Sequence, residues 1–130
     1  MKNRILVDTS IWIEFFRPRS YSGRHVEILL VNNAVWTCGM VIFEIFKGIK
    51  SEDEKSTISG IFDILPYAEM TKSLWKRTSE LSIHLRKKGL DLPNSDILIA
   101  TLALEHKLAV FTLDKHFKHI PGLKLYETLS

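Results

Sequence analysis

Four carboxylates in this chain stand where acids are unwelcome. Asp8 ends the apolar run Ile5-Leu6-Val7 and precedes Thr9-Ser10-Ile11-Trp12-Ile13, Glu44 is flanked by Val41-Ile42-Phe43 and Ile45-Phe46, Asp96 follows Pro93-Asn94-Ser95, and Asp114 comes two residues after Ala109-Val110-Phe111-Thr112. Burying a carboxylate without partners costs several kcal/mol, so Glu44 above all calls for a compensating cation. Each acid also has an ordinary explanation. Asp8 could cap a helix, as could Thr9 or Ser10; Glu44 could pair with Lys47 or a distant arginine; Asp96 could simply suit a helix N-terminus; and Asp114 could be a turn aspartate. Three of the four, however, fall at strand or helix edges that a parallel sheet gathers on one side, and one shared site accounts for all of them. Like charges in a cleft raise one another's pKa and stay ionised only beside cations. No Cys/His pair has zinc spacing, and His25, His84, His106, His116 and His119 are scattered, which leaves a hard ion with oxygen ligands, Mg²⁺ or Mn²⁺. Such ions generate hydroxide and neutralise charge at phosphorus, so the expected chemistry is phosphodiester hydrolysis.

Short strands and helices must position these acids. The apolar runs that could be strands are Arg4 to Val7, Val35 to Cys38, Ile61 to Leu65, Ala109 to Thr112 and Lys124 to Tyr126. Between them the periods are helical. Leu74, Thr78, Leu81 and Leu85 form one stripe of a helix over Ser73 to Lys88, begun after Thr71 and stopped at Gly89. Ile97, Ala100 and Leu104 do the same over Asn94 to His106, entered through Pro93 and capped by Asn94 or Ser95. Val41 to Ile49 reads as a helix ended by Gly48, and Ser51-Glu52-Asp53-Glu54 has capping-box spacing for another running toward Gly60. Strands alternating with helices predict an α/β fold, a parallel sheet with helices on both faces.

Composition sets the outer bounds. With 130 residues and 45% apolar content, the chain is long enough for one domain with a core of its own. One cysteine, Cys38, excludes an intrachain disulfide. There is no signal-peptide core and no run of 18 apolar residues, so a cytoplasmic protein without a membrane span is expected. A net charge of +3 permits a polyanionic partner without demanding one. Basic residues gather at Arg17-Pro18-Arg19 with Arg24 and at Arg86-Lys87-Lys88, either as phosphate contacts or as a solvated face and a helix C-terminus.

Asp8-Thr9-Ser10 with Trp12-Ile13, the central Glu44, the stretch Leu92 to Ala100, and Leu108 to Gly122 with Thr112-Leu113-Asp114 and Phe117 through Ile120-Pro121-Gly122 together resemble PIN-domain proteins of the VapC toxin type. The acids stand 36, 52 and 18 residues apart, and the match runs from about Ile5 to Leu125. The resemblance implies a three-layer α/β/α sandwich around a short parallel sheet, the whole chain forming one PIN domain. It implies Asp8, Glu44, Asp96 and Asp114 around Mg²⁺ or Mn²⁺, endoribonuclease activity on a structured RNA, a cognate VapB-type antitoxin and a homodimer. Many relatives carry a further Asp before the Phe, where this chain has His116. The oxygen preference of Mg²⁺ favours Asp114 as fourth ligand, whereas His116 suits Mn²⁺ or a phosphate-facing donor. Thr9 or Ser10 supplies a hydroxyl to the site or else caps the helix. The apolar segment Trp12-Ile13-Glu14-Phe15-Phe16 is expected to meet the antitoxin tail, unless it only fills the core. A PIN-like module that binds RNA or a partner without catalysis is the alternative, and retention of four acids argues against it. An aspartyl phosphotransferase would want an Asp where Ser10 stands, and no G-x-G-x-x-G supports a dinucleotide enzyme.

Overall fold

Three short, largely buried strands need helices to cover them, and the described residues supply six. The computed structural model describes residues 3–128. In chain order the elements are β1 (Ile5–Val7), α1 (Thr9–Phe15), α2 (Tyr21–Val31), β2 (Val35–Trp36), α3 (Gly39–Phe46), α4 (Glu52–Phe62), α5 (Lys72–Lys87), α6 (Asn94–His106), β3 (Ala109–Phe111) and a 3-10 turn over Lys115–His119. The strand order is β2-β1-β3, all parallel, with Ile5 opposite Val35 on one side and Ala109 on the other. Ile5, Leu6 and Val7 are essentially inaccessible, as the middle strand of a parallel sheet must be. Parallel connections from β1 out to β2 and back across to β3 must cross over the sheet, and their helices provide the cover. The fold is the α/β arrangement expected.

The strand expectations hold at β1, β2 and β3 and change elsewhere. Lys124 to Tyr126 contributes one parallel bridge, Val110 to Leu125, at the β3 edge. Ile61 to Leu65 is not a strand. Instead α4 runs past Gly60 to Phe62, and the chain meets the sheet only at the bridge between Thr37 and Tyr67. Packing decides this, because Ile58 and Phe62, one helical turn apart, are both buried and the Phe62 ring lies 4.6 Å from that of Trp12 and 5.8 Å from that of Phe46.

Helix ends follow the caps only in part. Thr71 accepts from the Leu74 N–H at 3.2 Å and starts α5; Ser51 accepts from the Glu54 N–H at 3.1 Å and starts α4. At α6, however, Pro93 holds the cap position and Asn94 and Ser95 are already helical, so neither caps it. The α3 helix begins earlier than expected, at Gly39, and stops at Phe46. The one-sided stripe expected for α6 is also replaced. Every residue from Asp96 to Ala103 is buried while Leu104 is exposed, because α6 is enclosed by α5, α3 and β3.

Candidate metal centre

The sheet brings its carboxyl ends to one edge, and the turns that leave this edge carry acids. Asp8 leaves β1 at the cap position of α1, yet its side chain caps nothing. Its Oδ2 accepts from the Ser10 hydroxyl at 2.9 Å and from the Thr112 hydroxyl at 2.7 Å. Thr112 lies just beyond β3, and its oxygen also accepts the Asp114 N–H at 3.0 Å. One threonine thus links the acid after β1 to the acid after β3. The Ser10 oxygen adds a second tie across the same gap by accepting the Leu113 N–H at 3.1 Å.

Asp114 caps the turn Lys115–His119, its Oδ1 accepting the His116 N–H at 2.9 Å, and this turn swings the His116 imidazole back over the acid. His116 Nδ1 stands 2.9 Å from Asp114 Oδ1 and 3.5 Å from Asp96 Oδ2. Asp96 enters from the first turn of α6 and is 8% exposed. One ligand atom from each of Asp96, Asp114 and His116 falls within 4.8 Å of the others, and among the described residues this is the one such group of metal-binding side chains.

Glu44 arrives from α3. Its isolation among apolar neighbours suggests burial, but the structure leaves it half-buried on the helix, since those neighbours point to other sides of the helix. Its partner is the Thr9 hydroxyl, which donates to Oε1 at 2.7 Å, rather than Lys47 or an arginine. Lys47 instead lies over the Phe43 ring, 5.3 Å from its centroid. Asp8 and Glu44 both face Cys38, whose thiol is pushed up by burial and further by these two charges. Thr9 and Ser10, the first two residues of α1, therefore each aim a hydroxyl at an acid and do not cap the helix. Sequence reasoning assigned no role to Thr112. The available signal was its place, at the end of a buried strand and two residues before an acid.

The electrostatics mark Asp96. Burial, then contact with Asp114 and the charge of Asp8, together push its carboxyl up to about 7, against the opposing hydrogen bond to His116. Asp114 moves the other way. Burial pushes it up, but the His116 N–H, the Asp96 carboxyl and the His116 ring outweigh this and hold it below its ordinary value. Asp96 Oδ2 is buried and receives no hydrogen bond, an arrangement that is costly unless something positive sits before it. The donor set of carboxylate oxygens around one imidazole fits a small divalent cation.

The family model described as PIN domain matches residues 5–123. This chain belongs to the PIN domain family. Over 127 residues this PIN domain is 29% identical to Ribonuclease VapC2 of Rickettsia felis, covering 92% of this chain and 94% of that one. Ribonuclease VapC1 of Methanocaldococcus jannaschii is 24% identical over 129 residues, 97% of this chain and 89% of the relative. Among solved structures, VapBC2 from Rickettsia felis, bound to a DNA fragment from its promoter, superimposes with a TM-score of 0.77 at 25% identity, covering 94% of this chain and 96% of that one. DNA-bound VapBC from Salmonella typhimurium gives 0.78 at 21% identity, over 95% and 97% of the two chains, a likeness of fold.

Outside the acidic edge, the PIN domain divides the apolar α1 segment. Trp12 is fully buried, its ring 5.4 Å from that of Phe15, whereas Ile13 and Phe16 are 46% and 40% exposed. These two border a groove of about 900 Å³ with Ile45, Ile49 and Ile58 that opens at Glu44. Arg17, Arg19 and Arg24 line a neighbouring cleft, where Arg17 pairs with Glu14 at 2.9 Å. Arg86 and Lys87 end α5, where a helix C-terminus favours positive charge. No described helix is long and apolar enough to cross a membrane.

Proposed function

We propose that this PIN domain is a metal-dependent endoribonuclease, the toxin of a VapBC-type pair, which hydrolyses phosphodiester bonds of a structured RNA with Mg²⁺ or Mn²⁺ held by Asp8, Glu44, Asp96 and Asp114. The observation that carries the reading is the buried, donor-free Asp96 oxygen facing Asp114 at the carboxyl edge of the sheet. The cation, when bound, supplies activated water and charge neutralisation at phosphorus. The chain does the positioning. Thr112 and Ser10 hold the Asp8 carboxylate, Thr9 holds Glu44, and the turn at 115–119 holds Asp114. Arg19 and Arg24, which line one cleft, offer cations for the RNA backbone.

The ribonuclease names of the relatives and the toxin–antitoxin complexes among the similar structures support both the activity and a VapB-type partner. The groove at Ile13, Phe16, Ile45 and Ile49 is the surface that suits an antitoxin segment with apolar side chains. A second copy is expected over the apolar cleft between α5 and α6, where Trp75 is 58% and Ile83 45% exposed. The decisive test is cleavage of total RNA by the purified chain, freed of any inhibitor. Cleavage should require Mg²⁺ or Mn²⁺, stop in EDTA and vanish in Asp8→Ala. Undiminished cleavage in excess EDTA would reject the proposal.

A further inference from the structure

Within the acidic edge, the side chain nearest to completing a metal shell around Asp96 and Asp114 is an imidazole. Ligands at right angles on an octahedral ion, each at about 2.1 Å, are separated by about 3 Å. His116 Nδ1 lies 2.9 Å from Asp114 Oδ1 and 3.5 Å from Asp96 Oδ2, which are separations of that kind. The imidazole also has its position set by the backbone. Asp114 caps the turn that carries His116, so the ring and the carboxylate are presented together by one short element. A second observation supports a ligand there: Asp96 Oδ2 is buried and receives no hydrogen bond, the His116 Nδ1 standing 3.5 Å away, beyond good hydrogen-bond length.

We infer that His116 is a nitrogen ligand of the metal centre, bound through Nδ1 beside Asp96 and Asp114, and that it biases the site toward Mn²⁺ and similar transition ions over Mg²⁺. This rests on the metal-dependent reading above and adds a donor to it. The chemistry follows from ligand type. Mg²⁺ keeps to oxygen donors and holds its water tightly, while imidazole nitrogen raises affinity along the first-row divalent series. The sequence alone favoured Asp114 as the fourth ligand and left His116 open. The distances place both side chains against Asp96, so that selectivity is shared between them.

The test reads the bound ion directly. Full-length protein is loaded with Mn²⁺ and its electron spin echo envelope is recorded, since a coordinated imidazole imprints ¹⁴N modulation. Wild type should show that modulation, His116→Ala should lose it, and His84→Ala should keep it. Calorimetric titrations with MnCl₂ and MgCl₂ provide the second readout. The ratio of Mn²⁺ to Mg²⁺ affinity should fall roughly tenfold in His116→Ala, and in His116→Asp it should fall while Mg²⁺ binding is kept. His116 is half exposed, so these variants should fold. Mn²⁺ bound by wild type without nitrogen modulation, or an affinity ratio that His116→Ala leaves unchanged, overturns the inference alone. Wild type that binds neither ion overturns the metal-dependent reading together with it.

Discussion

Asp96 holds its proton more firmly in the metal-free fold than it would in the unfolded chain. Its carboxyl is raised from 3.8 to about 7, first by burial and then by Asp114 and Asp8. For an acid raised in this way, the stability gained is complete below the unfolded value and is lost as pH climbs through the folded one. In EDTA, Asp96→Asn should therefore exceed wild type in melting temperature by a gap that is smaller at pH 5, partway between the unfolded and folded values, than at pH 8, where the loss is complete. Calorimetry at the two pH values checks this, and an equal gap at both would mean that charge burial is not the cause. The same substitution should abolish cleavage, since it removes a carboxylate from the proposed metal shell. Thr112 is the second residue whose role is explicit. Its hydroxyl serves Asp8 and the Asp114 N–H at once. Thr112→Val should cost roughly 1–3 kcal/mol in urea unfolding and raise the metal concentration needed for half-maximal cleavage. Thr112→Ser should restore both.

At the scale of elements, the site depends on how closely helices approach. The α1 and α2 helices meet at Gly23, where an added Cβ would lie 2.9 Å from the Glu14 carbonyl oxygen and from the Phe15 Cα. Both are backbone atoms of the helix whose first residues orient Asp8 and Glu44. Gly23→Ala should destabilise the fold by about 1–3 kcal/mol. Gly60, inside α4, meets nothing within 4 Å, so Gly60→Ala should stabilise by about 0.5–1 kcal/mol through helix propensity. Chemical denaturation of both variants tests the pair, and the opposite signs make the comparison independent of any general effect of alanine.

At the scale of the whole molecule, the proposed acidic site and the apolar groove share Glu44. Glu44 belongs to both, held by Thr9 on one side and bordering Ile45, Ile49 and Ile13 on the other. A partner lying in the groove would cover Glu44, and with it one of the proposed metal ligands, without a change of fold. Ile13→Glu, at a position 46% exposed, should leave the isolated protein folded and active yet weaken antitoxin capture. Co-purification with a tagged antitoxin, growth arrest despite antitoxin co-expression, and cleavage by the free variant would together show this. An insoluble variant with no cleavage would assign Ile13 to the core instead.

What depends on neighbours along the chain could be read from the order of residues. The buried strand Ile5-Leu6-Val7 followed by an acid, the Thr71 and Ser51 caps and the helix between Thr71 and Gly89 are written in local spacing, as is the choice of hard-cation chemistry from four isolated carboxylates. Tertiary structure decided what depends on residues far apart. That Ile61 to Leu65 leaves a helix rather than forming a strand follows from Trp12 and Phe46 covering Phe62. That Glu44 is half-buried, bonded by a threonine 35 residues earlier, and that His116 stands 3.5 Å from Asp96, follow from how α1, α3, α6 and the turn after β3 converge on one sheet edge. A periodicity shows which face of an element is apolar, but which other elements cover that face, and therefore which polar groups meet there, is set by packing of the whole chain.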